Sequence, residues 1–315
     1  MSSATAPTPA GETLRGIYSK LVAIFLFASM DAIVKEIGAH YPTLQSLFLR
    51  TLFGLAPLAW VIHAAGGLTT LRSRQPGLQA VRTVIAFGTL FGFFYLFPLM
   101  PLAELYAVSF AAPLLMTALS VPILRERVGW RRWAAVAVGF VGVLIIVRPG
   151  AATFQPLSIL LLGATTCYAL SMVLVRRLSR TDSDQATIMY FSLPVIAVAG
   201  LLIAGNEALG RPMGRATWIW PTAVDWLWFI AIGLLGSLGT ILMTRAWRMA
   251  PVAVLAPFDY VAIIYAMGYG WLFWSEVPTV WVWAGLPFII GSGLYILHRE
   301  RVRARERAAA PPTAP

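Results

Sequence analysis

The chain predicts an all-α integral membrane protein of ten transmembrane helices, arranged as two inverted five-helix repeats. Three observations lead there. Of the 315 residues, 59% are hydrophobic and only 12% charged, with a mean hydropathy of +0.76; a soluble domain carries about 25% charged residues. Residues 101–148 and 251–298 read as one passage written twice, 150 positions apart and without a gap. Finally, the basic residues collect on alternate loops, as they do in polytopic membrane proteins.

A span needs about 20 predominantly apolar residues. Such stretches fall near 17–37, 43–64, 77–98, 102–123, 130–148, 155–175, 186–205, 224–244, 252–274 and 279–298. The links 98–101 and 274–278 are so short that their flanking helices must form tight hairpins. Residues 1–16, rich in Ala, Thr, Pro and Ser, predict a disordered cytoplasmic tail without a signal peptide, since no small-x-small site follows the first apolar segment. Residues 17–148 then form the first repeat (helices 1–5), 149–298 the second (helices 6–10), and the basic, Ala/Pro-rich stretch 299–315 a second loose tail.

The duplication is read residue by residue. Pro101 answers Pro251, Leu105 answers Leu255, Ser109-Phe110 answers Asp259-Tyr260, Glu126 answers Glu276, Trp133 answers Trp283, and Leu144 answers Leu294. With the N-terminus in the cytoplasm, 18 basic residues fall on the inner side: Arg15, Lys20, Arg72, Arg74, Arg125, Arg127, Arg131, Arg132, Arg176, Arg177, Arg180, Arg245, Arg248 and the five arginines between Arg299 and Arg307. The outer side receives four, Lys35, Arg148, Arg211 and Arg215. That bias places both termini in the cytoplasm. An odd number of helices per repeat then forces the two halves into opposite orientations, and substrate sites of such proteins lie near the bilayer midplane at the repeat interface.

Composition also excludes. A single cysteine, Cys167, allows neither an internal disulfide nor a cysteine metal cluster, and the three histidines sit near span ends. No phosphate-binding loop or H-E-x-x-H pattern occurs, so neither a nucleotide nor a metal cofactor is expected. The net charge of +11 is spread over short loops and does not suggest nucleic acid. An enzyme acting on lipid would need paired carboxylates at a membrane face, and a receptor would carry a soluble output domain; neither is visible.

Pro113 within span 4, Glu126 and Glu276 closing spans 4 and 9, and the runs Gly139-Phe-Val-Gly142 and Gly291-Ser-Gly293 occur in characteristic order and spacing. On these residues the chain resembles the drug/metabolite transporter superfamily, and within it the EamA family of ten-helix carriers, from Tyr18 to His298. In Ser29-Met-Asp31-Ala-Ile-Val-Lys35, Phe48-Leu-Arg50, Val81-Arg82 and Val108-Ser-Phe110 it looks more like bacterial S-adenosylmethionine uptake carriers than like amino-acid exporters. Related branches carry riboflavin and opine-type metallophores. The resemblance implies a secondary transporter of a small polar organic metabolite, cationic or zwitterionic, working by alternating access in a bacterial inner membrane. Its partners would be the solute, the bilayer and protons as coupling ion, and its state a monomer or homodimer; membership leaves import or export open.

Several residues are candidates for the substrate site. Asp31 lies deep in span 1, where a carboxylate is retained when it pairs or serves transport; Lys35 at i+4 or Arg50 on span 2 could neutralise it. Asp259 is expected roughly 12 Å into span 9 at about 1.5 Å per residue, level with its repeat mate Ser109, where it could bind a cation, carry a proton, or pair with Arg245 or Arg248. Tyr95, Tyr106, Phe110, Tyr168, Tyr260 and Tyr265 offer ring faces at the same level. Glu126 and Glu276 are expected to cap, fix hairpins or gate. Gly233, Ser237, Thr240 and Thr244 form one small, hydroxyl-bearing face of span 8 that could line a polar path. Arg82, about one turn inside span 3, is expected to snorkel to the surface.

Overall fold

A computed structural model describes residues 10–125, 129–148, 155–208, 218–250 and 252–309. Its elements are helices, in the order α1 (Ala10–Gly38), α2 (Thr43–Ala64), α3 (Pro76–Leu96), α4 (Leu102–Ser109), α5 (Ala112–Leu124), α6 (Trp130–Val147), α7 (Leu157–Leu178), α8 (Asp184–Ala208), α9 (Ala223–Met249), α10 (Val252–Leu255), α11 (Val261–Trp274) and α12 (Val280–Ala309). Among the described residues, seven stretches are long and apolar enough to cross a membrane: Glu12–Gly38, Thr43–Ala64, Pro76–Leu96, Leu102–Leu124, Leu157–Leu178, Asp184–Gly205 and Ala223–Trp247. Two further apolar helices, Trp133–Val147 and Val280–Ile296, are shorter.

Two expected boundaries need correction. Helix α1 begins at Ala10, inside the stretch read as a tail, and α12 runs on to Ala309, well into the basic stretch read as loose. In both places the low hydropathy ends the expected span while Ala, Arg and Glu continue to favour helix. Hydropathy locates lipid, not the end of a helix.

Two expected spans are broken. The run 102–123 divides into α4 and α5 at Phe110-Ala111, with Pro113 in the first turn of α5. The run 252–274 divides into α10, a 3₁₀ turn over Ala256–Tyr260 that contains Pro257, and α11. Proline removes a backbone donor and clashes with the preceding turn, so both breaks have a local cause. They fall at matching places in the duplicated passage. The correspondence extends to backbone torsions: Arg125 and Ser275, again 150 positions apart, close α5 and α11 in the left-handed region at φ 55° and 53°.

Helices pack where small residues let backbones approach. A Cβ at Gly233 of α9 would lie 2.5 Å from the Phe53 Cβ and 3.0 Å from the Gly54 nitrogen and the Arg50 carbonyl oxygen of α2. On α6, a Cβ at Gly142 would lie 2.7 Å from the Gly285 carbonyl oxygen of α12. Polar groups fasten the ends. Tyr41 Oη donates to Asp225 at 2.7 Å, and Gln45 exchanges two hydrogen bonds with the Ile219 backbone, joining the α1–α2 turn to the approach to α9. At the opposite ends, Asp182 in the α7–α8 turn accepts from Ser73, the Arg74 amide and Gln79, joining that turn to the α2–α3 connection. These pairings bring together the loops that the charge count assigns to a common side.

Candidate functional site

The two helix breaks face each other. Phe110 and Tyr260, partners in the sequence duplication, meet edge to face with ring centroids 5.3 Å apart. One turn earlier on α4, Tyr106 packs against Phe110 and donates its hydroxyl to Asp31 of α1 at 2.6 Å. Arg50 of α2 lies within electrostatic reach of Asp31, with Phe94 at 5.5 Å from its guanidinium carbon. A chain of contacts thus runs from Arg50 past Asp31, Tyr106 and Phe110 to Tyr260.

Asp259, beside Tyr260, finds its partner on α1 and not on Arg245: its Oδ2 receives a hydrogen bond from Lys20 Nζ at 2.8 Å. The side chain of Arg248, the other expected partner, lies outside the described residues. The lysine side chain is fully buried and its ammonium stands 4.3 Å from the Trp247 ring, whereas the Asp259 side chain is 44% exposed. Tyr168 of α7 is also exposed and lies within electrostatic reach of Asp259, as does Tyr260.

Lys35, one possible neutraliser of Asp31, is used elsewhere. It donates to the Met100 carbonyl at 2.6 Å and pairs with Glu276 at 2.7 Å; the other Glu276 oxygen accepts from the Leu102 amide at 3.1 Å. Glu276 therefore ties the end of α1 to the start of α4 and the end of α11. Its repeat mate Glu126 lies outside the described residues.

A cavity of about 370 Å³ opens beside Arg50, between α2, α3, α8 and α9. The α9 face expected from Gly233, Ser237, Thr240 and Thr244 lines it, together with Thr51, Gln185 and Ser192. The three α9 hydroxyls give their protons to the carbonyls of Gly54, Gly236 and Thr240, so their oxygens remain as acceptors. Arg82 lines the cavity too and does not snorkel: it is 8% exposed and its Nη1 donates to the Thr187 carbonyl at 2.7 Å. The first turn of α8 supplies that acceptor before the side chain reaches water.

Of the residues singled out in the sequence, Asp31, Arg50, Phe110, Tyr168, Asp259 and Tyr260 are brought together. Ser109 is beside the α4 break, but its hydroxyl donates to Leu105 of its own helix. Tyr95 is separate: it heads a ladder of stacked rings with Phe91 and Phe87 on α3, 41% exposed, and among the described residues shares no ring contact or hydrogen bond with the cluster. Tyr106, one of the mid-span rings read from the sequence, belongs to the cluster, whereas Lys20 was missed and Arg82 discounted. One signal for Lys20 was available, because it and Lys35 are the chain's only lysines and both lie on α1. An ammonium inside an apolar helix has to find a carboxylate.

The sequence profile of the EamA-like transporter family matches this chain twice, over residues 14–148 and 155–297. A pseudopaline exporter, CntI, of Pseudomonas aeruginosa (strain UCBPP-PA14) is 28% identical over 87% of this chain and 93% of its own length. An S-adenosylmethionine uptake transporter of Rickettsia bellii is 24% identical over 91% of this chain and 94% of its own. A riboflavin transporter of Vibrio cholerae is 26% identical over 93% and 96%. One solved crystal structure, 22% identical, shares the fold with a TM-score of 0.59, covering 94% of this chain and 99% of that one.

Proposed function

The chain belongs to the EamA-like transporter family, a multi-pass membrane protein and a transporter rather than an enzyme, and from that premise we propose that it is a secondary carrier of a small polar organic metabolite, working by alternating access. Its ten spans form two inverted five-helix halves, residues 17–148 and 149–298, in a bacterial inner membrane with both termini cytoplasmic. The paired breaks at Phe110 and Tyr260 and the matched torsions at Arg125 and Ser275 support the duplication; the basic-residue bias supports the orientation.

The observation that carries the reading is the cavity. Its walls come from α2 and α3 of the first half and α8 and α9 of the second, so relative movement of the halves must open or close it. It extends from Arg50 to Asp184, Gln185 and Arg245 at the helix ends that face the cytoplasm in this topology. On the other side, Lys35–Glu276, Tyr41–Asp225 and Gln45–Ile219 hold the ends together. This arrangement supports the reading of a carrier open inward and closed outward.

The carboxylates first expected to receive a cationic solute are engaged, Asp259 with Lys20 and Asp31 with Tyr106. That favours the zwitterionic members of the expected class over purely cationic ones, with Tyr168, Phe110 and Tyr260 as ring platforms. The similar proteins named for uptake and for export represent both directions. Asp259, the exposed member of its pair, is the group suited to exchange a proton. Reconstitution in sealed vesicles tests the proposal: solute should cross unchanged, with substrate-dependent movement of protons. Chemical alteration of the solute, or no flux of any zwitterionic metabolite in a screened library, sinks the carrier; flux without proton movement or potential dependence leaves passive exchange.

A further inference from the structure

A guanidinium taken out of water needs acceptors or counter-charge around it. The chain satisfies its two buried lysines, each meeting a carboxylate, at 2.8 Å for Lys20 and 2.7 Å for Lys35. Its cavity arginines are treated differently. Arg82 spends Nη1 on a carbonyl, while the Nε atoms of both Arg50 and Arg82 are buried without a hydrogen-bond partner among the described residues. Both side chains line the same cavity, whose α9 wall carries the hydroxyl oxygens of Ser237, Thr240 and Thr244 and, at the cytoplasmic-facing helix end, Arg245. Gly236 makes room for one of them, since a Cβ there would lie 3.2 Å from Arg50 Nη2.

The two arginines stand at different depths. Arg50 lies seven residues into α2 and Arg82 six residues into α3, about 10 Å and about 9 Å from opposite ends of two consecutive, oppositely directed helices. Arg82 is therefore nearer the mouth marked by Asp184 and Gln185, and Arg50 forms the floor beside Asp31.

We propose that Arg82 and Arg50 form a two-station anion path, and that the solute carried through this cavity bears a carboxylate that Arg82 meets first and Arg50 holds. The assignment deepens the carrier reading and rests on it for the word "carried". A planar carboxylate can accept from Nε and one Nη together, a geometry that an ammonium cannot imitate and an amide imitates without charge. The hydroxyl oxygens of Ser237, Thr240 and Thr244 are left to receive donors of the same solute, such as an ammonium.

The test uses the full chain in detergent and three probes of equal chain length: glutarate, glutaramide and cadaverine, with orthophosphate as a fourth. Phenylglyoxal modification of Arg50 and Arg82 is followed by mass spectrometry. Glutarate should slow modification of both by about tenfold, the effect of one charge-assisted hydrogen bond, and the other probes should not. Thermal stabilisation by glutarate should disappear in Arg50→Gln and Arg82→Gln and return in part in Arg50→Lys; gel filtration establishes that each variant is folded. Equal protection by glutaramide or cadaverine, protection by orthophosphate alone, or no protection by any probe overturns the proposal. Glutarate protection in a protein that moves no solute keeps the anion path and removes the carrier; solute flux with no glutarate protection does the reverse.

Discussion

Replacing Glu276 by Gln tests whether the outer ends are held by charge. In the wild type, Lys35 has two acceptors, the Glu276 carboxylate at 2.7 Å and the Met100 carbonyl at 2.6 Å, and its side chain is 7% exposed. The introduced carboxamide could still accept from the Leu102 amide, but the ammonium would be left with neutral partners alone. Breaking a buried pair from one side costs about 3–5 kcal/mol, whereas an exposed pair is worth about 0–1 kcal/mol. The Glu276 side chain is 19% exposed, so the expected loss lies between those limits, about 1–3 kcal/mol. Lys35→Met should cost a similar amount by stranding the carboxylate. The double substitution should cost less than the sum, because neither charge is left alone, with a coupling of about 1–2 kcal/mol. Unfolding of the purified chain in mixed micelles of increasing denaturing detergent measures all three. Strictly additive losses, or single losses below about 0.5 kcal/mol, would refute the view that this pair closes the outer side.

Three further outcomes are expected. Gly233→Ala must push α2 and α9 apart, because its Cβ would meet Phe53 at 2.5 Å and backbone atoms at 3.0 Å; thermal denaturation should show a loss of about 1–3 kcal/mol, and an unchanged midpoint would contradict the packing. Asp259→Asn should destabilise the chain more than the double change Asp259→Asn with Lys20→Met, since the single change leaves a fully buried ammonium unpaired; equal losses would show that the pair does not matter. For Asp182, burial pushes the carboxyl up, but hydrogen bonds from Ser73, the Arg74 amide, Gln79 and Thr181 outweigh it and hold the group below its ordinary value. Its contribution is therefore complete above the unfolded value of about 3.9 and is lost as pH falls through the lower folded value. Asp182→Asn should flatten this part of the acid unfolding profile, and a profile identical to wild type would rule the contribution out.

Much of the membrane architecture was legible in one dimension because lipid imposes a rule that each segment obeys by itself: apolar length, and basic residues on alternate loops. The duplication and the small, hydroxyl-bearing face of α9 could be read from spacing. The partners of the charges could not. Lys35 is one helical turn from Asp31, yet it points to Glu276, which is 241 residues further along the chain. Arg82 is close enough to a helix end to reach water, yet α8 offers a carbonyl first. Asp259 had two arginines nearby in sequence, and Lys20 of α1 reaches it instead. A charge in an apolar medium takes whatever opposite charge or acceptor is closest in space, and sequence distance carries no information about that once the helices are packed together. The sequence by itself determined which segments are apolar enough to enter lipid and which polar residues had to be accounted for; the tertiary structure decided that Lys20 and Lys35 meet carboxylates while the Nε atoms of Arg50 and Arg82, two residues that line a cavity, are buried without a hydrogen-bond partner among the described residues.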